Sequence, residues 1–166
     1  MRDNNDIVYC KTGSGKKVNL MSKEMSLDTK HIEHCIQTLE KAFQLLQQSD
    51  VEGIDYEMYR SACIKEFEII LEQSGKLLRK VLKPYFHSSK AVDELYFKDV
   101  FRHAVLRNII STEACERWCV YRDNRNNTAH DYGVGFAEET LSVLNDFIED
   151  AKSLVIAIQN KNETCY

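Results

Sequence analysis

Apolar positions recur at helical spacing through most of this chain. Ile32, Cys35, Ile36, Leu39, Phe43 and Leu46 follow the i, i+3, i+4, i+7 rule and predict a helix from Asp28. A polar run, Gln47 to Asp50, then leads into a turn at Gly53. A second stripe, Met58, Ala62, Phe67, Ile70, Leu71, Ser74, Leu77, Leu78 and Val81, predicts a helix over 55–82 that Pro84 stops. A third helix is predicted over 92–110, with Phe97, Val100, Phe101, Ala104 and Val105 inward. Ser111 and Thr112 are cap candidates for a fourth, with Glu113 favourably placed in its first turn and Trp118 inside it. Gly133 and Gly135 break the pattern. A last helix over 137–160 carries Leu141, Leu144, Phe147, Ile148, Ala151, Leu154, Val155 and Ile158 on one face.

Five amphipathic helices with short connections predict an all-α protein, an antiparallel up-and-down bundle. The expected organisation is a flexible leader over 1–26, one bundle over 27–160 and a frayed tail over 161–166. Met21 and Met25 are alternative starts. The leader's Gly13-Ser14-Gly15-Lys16-Lys17 is no phosphate loop, because Cys10 stands where the first glycine belongs and Lys17 where Ser or Thr belongs.

Composition narrows the function classes. One proline and six glycines leave few helix breakers. No apolar run approaches the roughly 20 residues that cross a bilayer, and no secretory core segment opens the chain, so a cytoplasmic protein is expected. Six cysteines without a Cys-x-x-Cys pair read as free thiols, with Cys35 and Cys63 on or beside apolar faces and Cys115 and Cys119 in the core. His31, His34 and Cys35 are an incomplete ligand set, and neither a metal nor another cofactor is expected. Lys76, Arg79, Lys80 and Lys83 cluster on the second helix. A solvated face explains them most simply, and an RNA-backbone track also fits. The net charge of −4 argues against a protein that coats nucleic acid by charge alone.

The chemistry concentrates in Arg125-Asn126-Asn127-Thr128-Ala129-His130-Asp131-Tyr132. Arginine clamps a phosphate in bidentate fashion, and histidine exchanges a proton near neutral pH. A solvated helix end is the plain alternative. Against it, four Asn or Asp residues between Asp123 and Asn127 cost helix propensity that a mere surface would not ask for. On a straight helix Arg125 and His130 point about 140° apart. They meet one target if the helix ends near His130, or if two copies join about a two-fold axis, which is the more natural geometry.

With Ile64-Lys65-Glu66-Phe67-Glu68, Lys76-Leu77-Leu78, the run from Tyr96 to Ala104 and Trp118, this segment resembles the HEPN family of nucleotidyltransferase substrate-binding proteins, over about residues 28–160. The resemblance implies a helix-bundle homodimer, an RNA substrate, and a partner in the minimal nucleotidyltransferase (MNT). HepT-like members are ribonuclease toxins, and the MNT protein is the antitoxin. Carried over, Arg125 and His130 are the catalytic pair, Asn126 is the polar residue after the arginine, and Tyr132 is the tyrosine that the antitoxin modifies with AMP. A non-catalytic module that serves a nucleotidyltransferase is the alternative that the family's older name implies. The chain departs from many relatives at Glu72-Gln73-Ser74-Gly75-Lys76, where Glu-x-Ala-Trp-Lys is common. The missing aromatic bears on packing or a partner surface more than on the active site.

Overall fold

A computed structural model describes residues 27–127 and 134–163. They form helices α1 (Lys30–Gln48), α2 (Ile54–Leu82), α3 (Ser89–Asp93), α4 (Phe97–Leu106), α5 (Thr112–Asn127) and α6 (Val134–Glu163), with a 3-10 turn at Lys83–Tyr85. No strand occurs among the described residues. None of their helices is long and apolar enough to cross a membrane.

Cross-helix pairs give the topology. Lys152 meets Glu40 while Gln159 meets Glu33, so α6 runs antiparallel to α1. Arg122 meets Glu72 while Arg125 meets Glu68, so α5 runs antiparallel to α2. The centre of the bundle is aromatic. Phe67 of α2 lies 4.5 Å from Phe147 of α6, and Trp118 of α5 sits 4.9 Å from Phe101 of α4 and 5.5 Å from Phe147. Edge-to-face and offset contacts of this kind add to the burial of the rings. The expected apolar faces of α1, α4 and α6 are buried or half-buried.

Three expectations change. The helix predicted over 92–110 is two helices and ends earlier. Ser88 caps α3 by accepting the Ala91 N–H at 3.2 Å, and the chain turns extended at Tyr96 before α4 begins. The carbonyl of Leu95, freed by that break, accepts a hydrogen bond from Arg79 of α2 at 2.9 Å. At its far end α4 closes in a Schellman motif. Asn108 takes the left-handed conformation (φ 51°), and the Ile109 N–H reaches the Ala104 carbonyl at 2.9 Å. Secondly, Met58 is 62% exposed rather than core. Counted at 100° per residue it lies about 180° from Phe67, and Tyr56, Tyr59 and Cys63 supply the inward face instead. Thirdly, Gly135 does not break the helix, because α6 already starts at Val134 and runs on to Glu163.

The missing aromatic at Gly75 has a structural counterpart. The Phe97 ring lies so close over this glycine that a Cβ would stand 3.2 Å from it. Arg122 in turn lays its guanidinium 5.0 Å over that ring.

Candidate functional site

Ser111 caps α5 by accepting the Ala114 N–H at 3.1 Å. Glu113 follows in the first turn, and its own backbone N–H and the Ser111 hydroxyl hold its carboxyl below the usual range. From Trp118 onward the helix turns one side into the aromatic core and the other toward charged groups of α2 and α4.

Arg125 lies in the last turn of α5, where a cation also suits the helix dipole. Its side chain is 36% exposed, and Nε lies 3.8 Å from Glu68 of α2, a loose ion pair. One turn earlier Arg122 donates to Glu72 at 2.5 Å. Between them Asp123 pairs with Lys98 of α4 at 2.7 Å. Two guanidiniums, each matched by a carboxylate, thus stand along the seam between α2 and α5. A phosphate arriving here would compete with Glu68 for Arg125. Asn126 is exposed. His130 and Tyr132 lie outside the described residues, as does the stretch 128–133 that joins α5 to α6.

The sequence reading missed the groups that fix this end of the molecule. Asp150 of α6 accepts from Arg117 Nε at 2.7 Å, from Arg117 Nη2 at 2.6 Å and from the Tyr121 hydroxyl at 2.7 Å. Asp150 and Tyr121 are buried, while Arg117 is half exposed. The Tyr121 phenol is pushed upward by burial and then by its bond to Asp150. The Arg117 guanidinium is held firmly protonated by the same carboxylate. This clamp ties the helix before residues 128–133 to the helix after them. A signal was present: Asp150 is a lone carboxylate inside the apolar stripe of α6, three residues after Phe147 and four before Leu154. An acid at such a position calls for a buried partner.

The four described cysteines are free thiols. Burial pushes Cys35, Cys63 and Cys115 up to about 11 each, with help from Glu66 at Cys35 and from Cys119 at Cys115. Cys119 is only partly covered, short of the core position expected for it. His31 Nε2 approaches Cys35 Sγ at 3.9 Å. Among the described residues no three His, Cys, Asp or Glu side chains are grouped to hold a metal ion.

Comparison with known proteins agrees with this architecture. The sequence profile of the family described as nucleotidyltransferase substrate binding protein like matches residues 27–160. A Haemophilus influenzae protein named "Probable ribonuclease HepT" is 26% identical over 139 residues, covering 77% of this chain and 94% of that protein. A solved Haemophilus influenzae structure, described as revealing the fold of a substrate-binding domain of a nucleotidyltransferase, superimposes with a TM-score of 0.68. It is 21% identical and spans 80% of this chain and 99% of its own.

Proposed function

The chain belongs to the family of nucleotidyltransferase substrate-binding-protein-like proteins, and from that premise we propose that it is a metal-independent endoribonuclease, the toxin of a pair whose antitoxin is a nucleotidyltransferase. The observation that carries this reading is the ordered set Arg125, Asn126, His130 and Tyr132. Its first member stands partly exposed at the end of α5, in a loose ion pair with Glu68. The relative named as a probable ribonuclease supports the same reading.

In the proposed reaction the RNA 2′-oxygen attacks the adjacent phosphorus, and the bond from phosphorus to the 5′-oxygen breaks. The products are a 2′,3′-cyclic phosphate and a free 5′-hydroxyl. His130 takes the proton from the 2′-hydroxyl, and an imidazolium returns one to the leaving 5′-oxygen. In a homodimer the His130 side chains of the two copies divide these roles. Arg125 holds the phosphate and stabilises the charge that develops on it. Asn126 orients the imidazole or the sugar. DNA is refused because it lacks the nucleophile. AMP placed on Tyr132 by the nucleotidyltransferase sets a bulky anion two residues from His130, where it competes for Arg125 and silences the enzyme.

The family description and the solved relative also favour a second reading, a non-catalytic partner that completes a nucleotidyltransferase. Cleavage of total RNA in EDTA by the purified protein, beside His130→Ala and Arg125→Ala, separates the two. Cleavage by the parent alone is the expected result. If either variant cuts as fast as the parent, the assignment of that residue is wrong. If no protein cuts, and intact mass shows no AMP adduct, the binding module takes its place. Silencing of a Tyr132→Phe protein by AMP transfer would remove Tyr132 from the scheme.

A further inference from the structure

A cleft of about 270 Å³ lies away from Arg125, between the start of α1 and the C-terminal part of α2, with Asp93 of α3 at its edge. Its floor includes Ile32 and Leu77, which are buried and apolar. Lys76, Lys80, Lys83 and His31 line it. Two carboxylates, Asp28 and Asp93, oppose three lysines and Arg79, so the lining keeps a cationic surplus. Asp28 accepts the Lys30 N–H at 3.0 Å, and Asp93 sits 3.8 Å from Lys83. Arg79, also in the lining, donates to the Leu95 carbonyl. Lys76 and Lys80 are exposed and form no ion pair among the described residues. The N-terminus of the 19-residue α1 adds its partial positive charge to the same edge. A concave site with surplus ammonium groups and an apolar floor suits a chain of phosphates with bases between them.

Position along α2 decides which phosphates. Glu72, the partner of Arg122, shares a sector of about 80° on that helix with Lys76 and Lys80. Glu68, the partner of Arg125, lies about 18 Å before Lys80 along the helix axis. Lys76 and Lys80 are separated by about 6 Å along the axis, the spacing of two consecutive phosphates of an extended strand. We infer that this cleft is an exosite for the phosphodiester backbone of single-stranded RNA, holding nucleotides that flank the one at Arg125. This rests on the ribonuclease reading for its substrate, though its test does not need cleavage. A solvated basic face alone would leave binding indifferent to these lysines.

The probe is a fluorescein-labelled 2′-O-methyl 12-mer, which the proposed chemistry cannot cut, titrated into the full chain and followed by anisotropy. The double variant K76E/K80E should bind it at least about tenfold more weakly at 0.1 M salt. The conservative K76Q/K80Q should show a smaller loss in the same direction. The slope of log affinity against log salt should flatten by about 1.4, from two lost single-strand phosphate contacts at about 0.7 each. Cleavage of a dinucleotide, too short to reach the cleft, should be unchanged in both variants. Circular dichroism matching the parent qualifies each variant, and K76Q/K80Q decides if K76E/K80E misfolds. Unchanged anisotropy, or weaker binding with an unchanged salt slope, overturns the inference. So does inorganic tripolyphosphate that binds the parent and is lost in the variants while RNA binding stays put, since the cleft would then serve a small anion. A failed ribonuclease reading looks different: the parent cuts nothing, yet binding and its response to the lysines persist.

Discussion

Replacing Asp150 by asparagine tests the clamp between α5 and α6 without opening a hole. The Asp150 side chain is 10% exposed, and the carboxylate accepts three hydrogen bonds. The amide keeps one accepting oxygen and points an N–H₂ at donors. Oδ1 accepts only Arg117 Nη2, whereas Oδ2 accepts both Arg117 Nε and the Tyr121 hydroxyl. With the amide oxygen in the Oδ2 position one charge-assisted bond is lost, at about 2 kcal/mol for the half-exposed Arg117, and the Nε bond weakens by about 1 kcal/mol as the carboxylate charge goes. The Tyr121 hydroxyl keeps the remaining oxygen, so its desolvation penalty stays small. The expected destabilisation is about 3 kcal/mol, and about 4 for Asp150→Ala, which also strands the phenol. For a chain of this length that lowers Tm by about 6–12 °C at 2–4 °C per kcal/mol. Urea titration and thermal circular dichroism measure it, with Tyr121→Phe as the partner in a double-mutant cycle. Tyr121→Phe alone should cost about 1 kcal/mol. In the double variant the two losses should sum to less than the singles. A Tm drop below 2 °C for Asp150→Asn, or any gain, refutes the claim that this carboxylate holds the two helices, for a buried ion pair is not stabilising by default.

Gly75→Ala should destabilise by about 1 kcal/mol. The helix propensity gained is about 1 kcal/mol, but the new methyl meets a Phe97 ring already held by Phe101 and Arg122, and overpacking costs about 1–3 kcal/mol. Phe97→Leu should turn Gly75→Ala from loss to gain in the same urea titration, and if it does not, the contact is not the cause. Stability should hold from neutral pH to about 9 and fall toward 11. The buried thiols of Cys35, Cys63 and Cys115 ionise near 9 in the unfolded chain and near 11 in the folded one, so rising pH favours unfolding. Tyr121 adds to the fall above its ordinary value of about 10. Urea midpoints at several pH values check this, and a midpoint that rises between 9 and 11 contradicts it. Glu68→Gln should leave Tm within about 4 °C, because a partly exposed pair contributes at most about 1 kcal/mol. It should tighten binding of the same 2′-O-methyl RNA about threefold by removing a carboxylate that competes with phosphate for Arg125, a gain of about 0.6 kcal/mol. Unchanged or weaker binding would mean that Glu68 does not compete with phosphate.

What the sequence made legible was periodicity. The stripes of α1 and α6 are one-sided and long, so most of their cores could be read from Ile32 to Leu46, with Ala42 missed and Phe43 only half-buried, and from Leu144 to Ile158. The break between α3 and α4 was not legible, because what accommodates it is tertiary: Arg79 of another helix satisfies the freed Leu95 carbonyl, and Phe97 packs on the bare backbone at Gly75. Met58 was a phase error that counting back from Phe67 corrects. At the site, the sequence displayed Arg125 and Asn126 but not what faces them. Glu68 and Glu72 looked like ordinary surface acids of an amphipathic helix until α5 was laid antiparallel beside them. Asp150 alone among the missed groups had left a mark, an acid in an apolar row.

The pairing of the first helix with the last sets a timetable for synthesis. Gln159 bonds both Thr29 and Glu33, and Lys152 reaches Glu40, so α1 finds its outer wall only when α6 exists. The hairpin of α1 and α2 therefore leaves the ribosome with Phe67 lacking its cover from α6. At about 5–20 residues per second, the stretch from Leu82 to Ile158 takes on the order of 4–15 s to make. Throughout that interval the nascent hairpin offers an oily face to any chaperone near the exit tunnel. Its burial comes as a single late event when α6 emerges.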